Sequence, residues 1–344
     1  MSGKLVGEGP RLRVAAEEAQ QVVARILRAA GCPGNTAAEV ADHLVDASLC
    51  GMESHGVMRV LQYEEQFRSG AMTPAARPIL RSTARGGEEE SGQGGIGIPA
   101  MRLAVSQACA RARTQGIAAM PLIDVGHTGR LGAFAEAGAR EGFLLIITGG
   151  GGRQAWRQVA PHGGCRAVLP TNPWCLASPG GARGPVVADF ATGMVAGGWL
   201  YAARSAGARL PEGAIMDAEG RPTTDPEDYF AGGAILPRGG PMGTELAVMS
   251  EMLCEAMLGP PSTEVNWLVL ALDTTRHQAP SAMQAAAEDI LAELRACPPA
   301  AGFTAVEVPG ERERARRAAA LVEGISLPAR TWEQILAREA ALHG

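Results

Sequence analysis

Two rhythms of apolar residues alternate along this chain, one with a period of about 3.6 and one of short continuous runs. Over 12–31, Val14, Val22, Val23, Ile26 and Leu27 share one side of a helix that Gly31 and Pro33 end. A second helix opens at Thr36, with Glu39 spaced as a capping box, and runs to Cys50. Gly51 breaks it, and 55–67 reads as a third helix ending at Ser69-Gly70. Residues 71–98 lose periodicity and gain Pro, Gly and charge, with 85–95 a turn-laden hairpin or loop. Helix and strand then alternate: helix 101–115, strand 117–125, helix 131–141 and a buried strand over 143–148. The strand pattern returns at 186–190, after a loop rich in Pro and Gly, and 207–242 is long and turn-rich. A strongly apolar helix over 244–258, a strand over 267–272 ending in Asp273, and helices over 281–297, 311–324 and 332–342 complete the chain. This alternation predicts an α/β fold, without internal repeats.

Composition narrows the partners more than the fold. The 344 residues allow roughly two or three domains with cores of their own. A formal charge of −5 leaves no basic field for nucleic acid or an anionic membrane. The basic run Arg312 to Arg317 is interleaved with Glu311 and Glu313 and reads as a solvated helix face carrying intrahelical ion pairs. Seven cysteines without a C-x-x-C pair point to buried thiols in a reducing compartment. His43, His162, His277 and His343 have no partner at ligand spacing, so no metal site is expected. Residues 1–4 lead into polar sequence with no apolar run of signal-peptide or membrane-spanning length, which predicts a cytoplasmic protein.

Candidate chemistry concentrates in Ser54-His55-Gly56-Val57-Met58-Arg59. An imidazole titrates near neutrality and can protonate a developing alkoxide or amine. Arg59, read as one helical turn beyond His55, has the fork that holds a carboxylate. The bland reading makes His55 a polar residue at a helix start. A second candidate, Gly126-His127-Thr128-Gly129-Arg130-Leu131-Gly132, lies between a strand and a helix, where N–H groups and Arg130 could meet an anion. Its bland reading is a tight turn. Gly92-Gln93-Gly94-Gly95-Ile96-Gly97 has the composition of a dinucleotide fingerprint but reads as a turn outside any βαβ unit. Asp189-Phe190-Ala191-Thr192 ends a strand, where Asp189 would cap the helix that follows. Pro309-Gly310-Glu311-Arg312 is a turn opening a helix.

In their order and spacing these segments resemble the type-2 malate/L-lactate dehydrogenase family. That family includes ureidoglycolate dehydrogenase and the piperideine/pyrroline-2-carboxylate reductases. The resemblance spans about 12–335 and also rests on Thr171-Asn172-Pro173, on Pro211-Glu212-Gly213 with Asp217 and 220–226, and on Gly239-Gly240 through Glu251. It implies a non-Rossmann α/β fold: 1–118 a substrate and dimerisation part, 119–296 the NAD(P)-binding domain, and 297–344 a segment packing back on the N-terminal part. It further implies a homodimer. By resemblance, His55 donates the proton with Ser54 in support, and Arg59 and Thr171 hold the substrate. His127, Thr128, Gly129, Arg130, Leu131, Asp189, Phe190, Ala191, Pro309, Gly310, Glu311 and Arg312 would line the nicotinamide dinucleotide. Arg130 and Arg312, as partners for a 2′-phosphate, tip the cofactor toward NADP over NAD.

Two departures from the family pattern matter. Pro241 and Met242 stand where many relatives carry His-Lys in a loop facing the cofactor. Gly197, Gly198 and Trp199 stand where many carry Arg-Gly-Lys on the substrate side. Losing those charges and gaining an indole predicts a substrate less anionic, or larger and more apolar, than malate. The bland alternative packs Trp199 in the core. The function implied is hydride transfer to or from the alpha carbon of a 2-oxo or 2-hydroxy acid, or of a cyclic or N-substituted 2-imino acid. The alternatives are a member retooled for an unusual biosynthetic substrate or a non-redox step, and a cofactor-binding protein without catalysis.

Overall fold

A computed structural model describes residues 10–343, with only the backbone of Ser205, Ala206 and His343; residues 1–4 lie outside the described residues. The described residues open with a short strand, β1 (Arg11–Val14), where the apolar rhythm predicts helix, and α1 follows (Ala16–Ala29). Val14 is therefore a strand residue, while Val22, Val23, Ile26 and Leu27 do form the buried helix face. Helix α2 (Gly34–Leu49) begins at Pro33, and Thr36 and Glu39 form no capping box. Glu39 instead pairs with Arg102 at 2.6 Å. A 3-10 turn (Glu53–His55) and α3 (Arg59–Arg68) come next, followed by the hairpin β2 (Ile79–Ser82) and β3 (Glu88–Gly95). Then come α4 (Gly97–Gln115), β4 (Ile117–Val125), α5 (Leu131–Arg140), β5 (Phe143–Gly150), β6 (Trp174–Ser178) and β7 (Val186–Phe190).

The turn-rich stretch after β7 holds more structure than its sequence predicts. It contains α6 (Gly197–Ala206), β8 (Ile215–Met216), β9 (Pro222–Thr223), α7 (Pro226–Phe230) and β10 (Ala234–Ile235), with a small antiparallel sheet in the order β10-β8-β9. Helix α8 (Pro241–Glu251) starts three residues before its expected onset and passes into a π-helical turn (Met252–Ala256). The last elements are β11 (Asn266–Asp273), α9 (Pro280–Ala296), α10 (Glu311–Glu323), β12 (Ile325–Pro328) and α11 (Ala329–His343). The main sheet has the strand order β2-β3-β4-β11-β5-β6-β7, and β1 pairs with β12.

The glycine-rich segment 92–97 is not a free turn. It is the end of β3, running directly into α4, and β3 and β4 are parallel, so it does sit in a βαβ unit. Its glycines serve close packing. A Cβ on Gly97 would stand 2.4 Å from the Gly126 carbonyl, and the Gly97 N–H already donates to the His127 carbonyl at 3.0 Å. No phosphate cradle is left at that first N–H.

The chain divides by packing into two compact units. One takes in 148–174 and 190–267, the other 12–147, 175–189 and 268 onward. The larger unit buries Leu44, Ile98, Met101, Met120, Leu122, Phe143 and Leu145, with α1 against α2, α3 and α11, and α10 against α2. The smaller has its own core of Val159, Leu200, Ala203, Leu210, Ile215 and Ile235. The segments expected from the resemblance divide the chain by role, whereas these units divide it by packing. Among the described residues no helix is long and apolar enough to cross a membrane, and no three His, Cys, Asp or Glu side chains are placed to hold a metal.

Candidate active site

His55 does not lie on the face of a helix with Arg59. It ends the 3-10 turn, and α3 begins only at Arg59. Gly56 lets this turn press on α2: a Cβ there would stand 2.1 Å from Ser48 Oγ, which accepts the Val57 N–H at 3.0 Å. The trio is assembled by folding back. Arg59 Nε donates to the Ser54 carbonyl and Nη1 to Gln62 Oε1, so the guanidinium braces the turn that carries His55. Ser54 Oγ and His55 Nδ1 are 3.0 Å apart. A hydroxyl can donate to or accept from Nδ1, so Ser54 serves both tautomers and leaves His55 Nε2 for a ligand.

His127 stacks against His55, with ring centroids 5.4 Å apart and 27° between planes. Its tautomer follows from its partners. The Gly129 N–H, which can only donate, points to His127 Nδ1 at 3.2 Å, and the Tyr63 hydroxyl lies 2.7 Å from the same nitrogen. Nδ1 is thus an acceptor, and the proton of the neutral ring sits on Nε2. Two imidazoles therefore stand side by side, one able to change its proton and one held as a fixed N–H donor. Tyr63, fully buried on α3, is a residue the sequence reading passes over, because an aromatic at helical spacing looks like core.

The electrostatics favour neutral rings. Burial, then Arg59 and Arg130, push His55 down to about 3. Burial, then Arg59, His55 and His43, hold His127 well below its ordinary value. His43, which has no partner by sequence spacing, accepts the Arg130 N–H at 3.0 Å and stacks on Phe134. Burial and then Arg130 push it down to about 3 from an ordinary 6.5. Above pH 6.5 His43 is neutral both folded and unfolded; as pH falls from there toward 3, only the unfolded chain takes up the proton. Stability therefore drops on acidification, by about 2 kcal/mol at about pH 5 from this ring alone. Melting followed by circular dichroism should show the loss between about pH 7 and about pH 5; a flat Tm would refute the neutral assignment.

A second cluster in the same unit draws together three distant segments. Asp189, at the end of β7, accepts the Gly132 N–H at 2.7 Å. It caps a helix, as its sequence suggests, but the helix is α5 and not the one that follows it. The Val187 N–H donates to the Pro309 carbonyl at 3.2 Å, and Arg314 Nη1 donates to the Pro185 carbonyl at 2.8 Å. The turn before α10 is thereby tied to β7. Asp189 keeps surface in contact with water, yet protein encloses it elsewhere; this enclosure pushes its carboxyl up, against the Gly132 N–H and Arg130, with Glu313 adding to the rise.

Several residues of these loops are already engaged. Arg130 does not face an incoming anion: it is buried, and Nη2 pairs with Asp46 at 2.8 Å. Asp46 also pairs with Arg317 at 2.7 Å. Thr128 and Leu131 are buried, and Gly129 (φ 74°) has no room for a side chain, since a Cβ would meet His43 Nε2 at 2.4 Å. Glu311 is held by Arg295 at 2.7 Å. Arg312 donates from Nε and Nη2 to Glu313 at 3.0 and 2.8 Å. Within the 311–317 run, then, only the Arg312–Glu313 pair is intrahelical among these; Glu311, Arg314 and Arg317 bind other elements.

The remaining sequence-predicted residues lie in the smaller unit. The Thr171 carbonyl accepts both the N–H and the hydroxyl of Thr192 at 2.9 Å. Beside it, Asn172 adopts φ 35°, and Nδ2 donates to Glu251 at 2.6 Å; Glu251 also accepts the Gly151 N–H at 3.0 Å. This buried brace, spanning 79 residues of sequence, had no local signal. Gly197, Gly198 and Trp199 form the first turn of α6, and a Cβ on Gly197 would stand 2.4 Å from Gln158 Nε2. Trp199 is only half-buried, while Leu200 beside it is in the core, so the core-packing alternative does not describe it. Pro241 and Met242 open α8 as exposed residues, and Phe190 and Ala191 are half-buried after β7, with Arg238 Nε donating to the Ala191 carbonyl at 3.2 Å.

The sequence pattern described as malate/L-lactate dehydrogenase matches residues 14–336. A Delta(1)-pyrroline-2-carboxylate/Delta(1)-piperideine-2-carboxylate reductase of Pseudomonas putida is 34% identical over 257 residues, 74% of each chain. A ureidoglycolate dehydrogenase (NAD(+)) of Escherichia coli (strain K12) is 29% identical over 330 residues, 92% of this chain and 93% of the relative. Among solved structures, a dehydrogenase from Sinorhizobium meliloti superposes with a TM-score of 0.84 at 28% identity, covering 97% of this chain and all of that one.

Proposed function

Because this chain belongs to the malate/L-lactate dehydrogenase family, we propose that it is an oxidoreductase dependent on NADP or NAD. It moves a hydride to or from the alpha carbon of a 2-oxo or 2-hydroxy acid, or of a cyclic or N-substituted 2-imino acid. The observation that carries this reading is His55, hydrogen-bonded to Ser54 through Nδ1 and stacked on an imidazole whose Nε2–H is fixed. His55 Nε2 protonates the oxygen or nitrogen of the reducible bond, or takes the proton back in oxidation, while Nδ1–H stays donated to the Ser54 hydroxyl in both states. His127 Nε2–H offers a neutral donor to the same region, comparable in kind to other neutral imidazoles that polarise a carbonyl. Arg59 Nη2, the nitrogen not tied to Ser54 or Gln62, is proposed to reach the substrate carboxylate.

The dinucleotide, when bound, supplies or accepts the hydride. Its holding residues are proposed as the Asp189 carboxylate at the start of α5, the 127–131 loop, Phe190, Ala191, Pro241, Met242 and the 309–312 turn. Gly310 fits this role: at φ 91° its Cβ would meet Arg314 Nη1 at 2.9 Å and Val187 N at 3.2 Å, so at this position only backbone can line the turn. Thr171, Gly197, Gly198 and Trp199 are proposed for the substrate side, where the half-buried indole favours a substrate more apolar than malate. The partner is then a small molecule, and the assembly a cytoplasmic homodimer with roles divided as 1–118, 119–296 and 297–344.

The test is a panel of 2-oxo acids, with and without amines, followed by NAD(P)H absorbance. Consumption of NAD(P)H with one class of acceptor is expected and names the bond reduced. Measurable cofactor binding without turnover on any acceptor would overturn the redox reading. It would favour a binding protein, for which the loss of polar side chains at Pro241 and Met242 is the supporting observation.

A further inference from the structure

Both arginines that could have met a 2′-phosphate are already paired. Arg130 is buried against Asp46. Arg312 is the more telling case, because it stands at the edge of the turn proposed to line the dinucleotide and is partly exposed. Its Nε and Nη2 converge on one oxygen of Glu313, and Nη1 lies 3.7 Å from Glu307. Glu313 is in turn mostly buried, and its charge is felt at Asp189. Glu313 and Glu307 thus flank a cation whose Nε/Nη2 fork is occupied.

We propose that Glu313 sets the cofactor preference of this chain toward NAD, by clamping Arg312 away from the place a 2′-phosphate would take. The inference rests on the reading that the 309–312 turn lines the dinucleotide. A ribose diol donates hydrogen bonds and suits a carboxylate such as Asp189; a phosphate dianion brings no donor and meets like charge. For a 2′-phosphate to be held, Arg312 would first have to leave Glu313, and the freed carboxylate would stay nearby. The bland role for Glu313 is stabilisation of the first turn of α10, where an acidic residue faces the helix N-terminus. That role changes melting temperature and leaves the two dinucleotides on equal terms.

The experiment is titration of NADH and NADPH, separately, into the full-length protein, following nicotinamide fluorescence, for the wild type, Glu313→Gln, Arg312→Ala and Asp189→Asn. The wild type is expected to bind NADH about tenfold more tightly or better. Glu313→Gln should shrink that ratio by about tenfold, mainly through tighter NADPH, and adding Arg312→Ala to it should restore the ratio. Equal or tighter binding of NADPH by the wild type overturns the proposal. An unchanged ratio in Glu313→Gln, with the change confined to melting temperature, overturns it too. If Arg312→Ala and Asp189→Asn leave both affinities untouched, the dinucleotide does not sit at this turn, and the underlying reading falls with the proposal.

Discussion

Replacing His55 with alanine is expected to lower turnover by about a thousandfold while dinucleotide binding survives. The ring is the one group of the cluster that can both give and take a proton at Nε2, because the Ser54 hydroxyl can accept from an Nδ1–H that stays in place through the cycle. His127 cannot substitute for it. Gaining a proton at Nδ1 would break its bonds with Gly129 and Tyr63. The direction of the pH dependence follows from burial, which with Arg59 and Arg130 pushes His55 down to about 3. In the free protein the imidazole is then neutral throughout the neutral range, ready to accept a proton from a 2-hydroxy acid. Oxidative kcat/KM should show no acid limb near 6.5, the ordinary histidine value. Reductive kcat/KM needs the protonated ring and should fall about tenfold per pH unit across neutrality. An oxidative profile that falls off around the ordinary value would show that His55 is not held neutral.

Arg59→Ala should reduce kcat/KM by about a hundredfold, the cost of losing the cation and its charge-assisted hydrogen bonding to a carboxylate. The loss should appear chiefly in KM if the carboxylate is held equally in ground and transition states. Arg59→Lys is expected to recover little. One guanidinium reaches the Ser54 carbonyl and Gln62 together and still has Nη2 to offer, and an ammonium has no such planar fork. Steady-state kinetics with the best acceptor of the panel decides it. Retention of wild-type kcat/KM in the lysine variant would mean that Arg59 supplies only charge.

The sequence carried most of the elements and little of their joining. Apolar periodicity marks helices and strands because side chains three to four, or two, positions apart share a face, a property decided within a few residues. Its failures lie where tertiary contact overrides the local signal. Val14 enters a strand by pairing β1 with β12, more than 300 residues away in the chain. The 92–97 glycines look like a turn and instead let β3, α4 and the Gly126 loop approach closely. The order β4-β11-β5 inserts a late strand between two early ones, which no local pattern announces.

By itself the sequence determined the α/β class, the family and the presence of a titratable imidazole with a hydroxyl and a guanidinium in one short segment. Those depend on residue identity and local spacing. The tertiary structure alone decided which charges are free. It fixed the His127 tautomer through Gly129 and Tyr63, buried Arg130 against Asp46, and closed Arg312 onto Glu313. A proton or an ion pair responds to whatever lies within a few ångströms. In the folded chain, most of those neighbours come from distant segments.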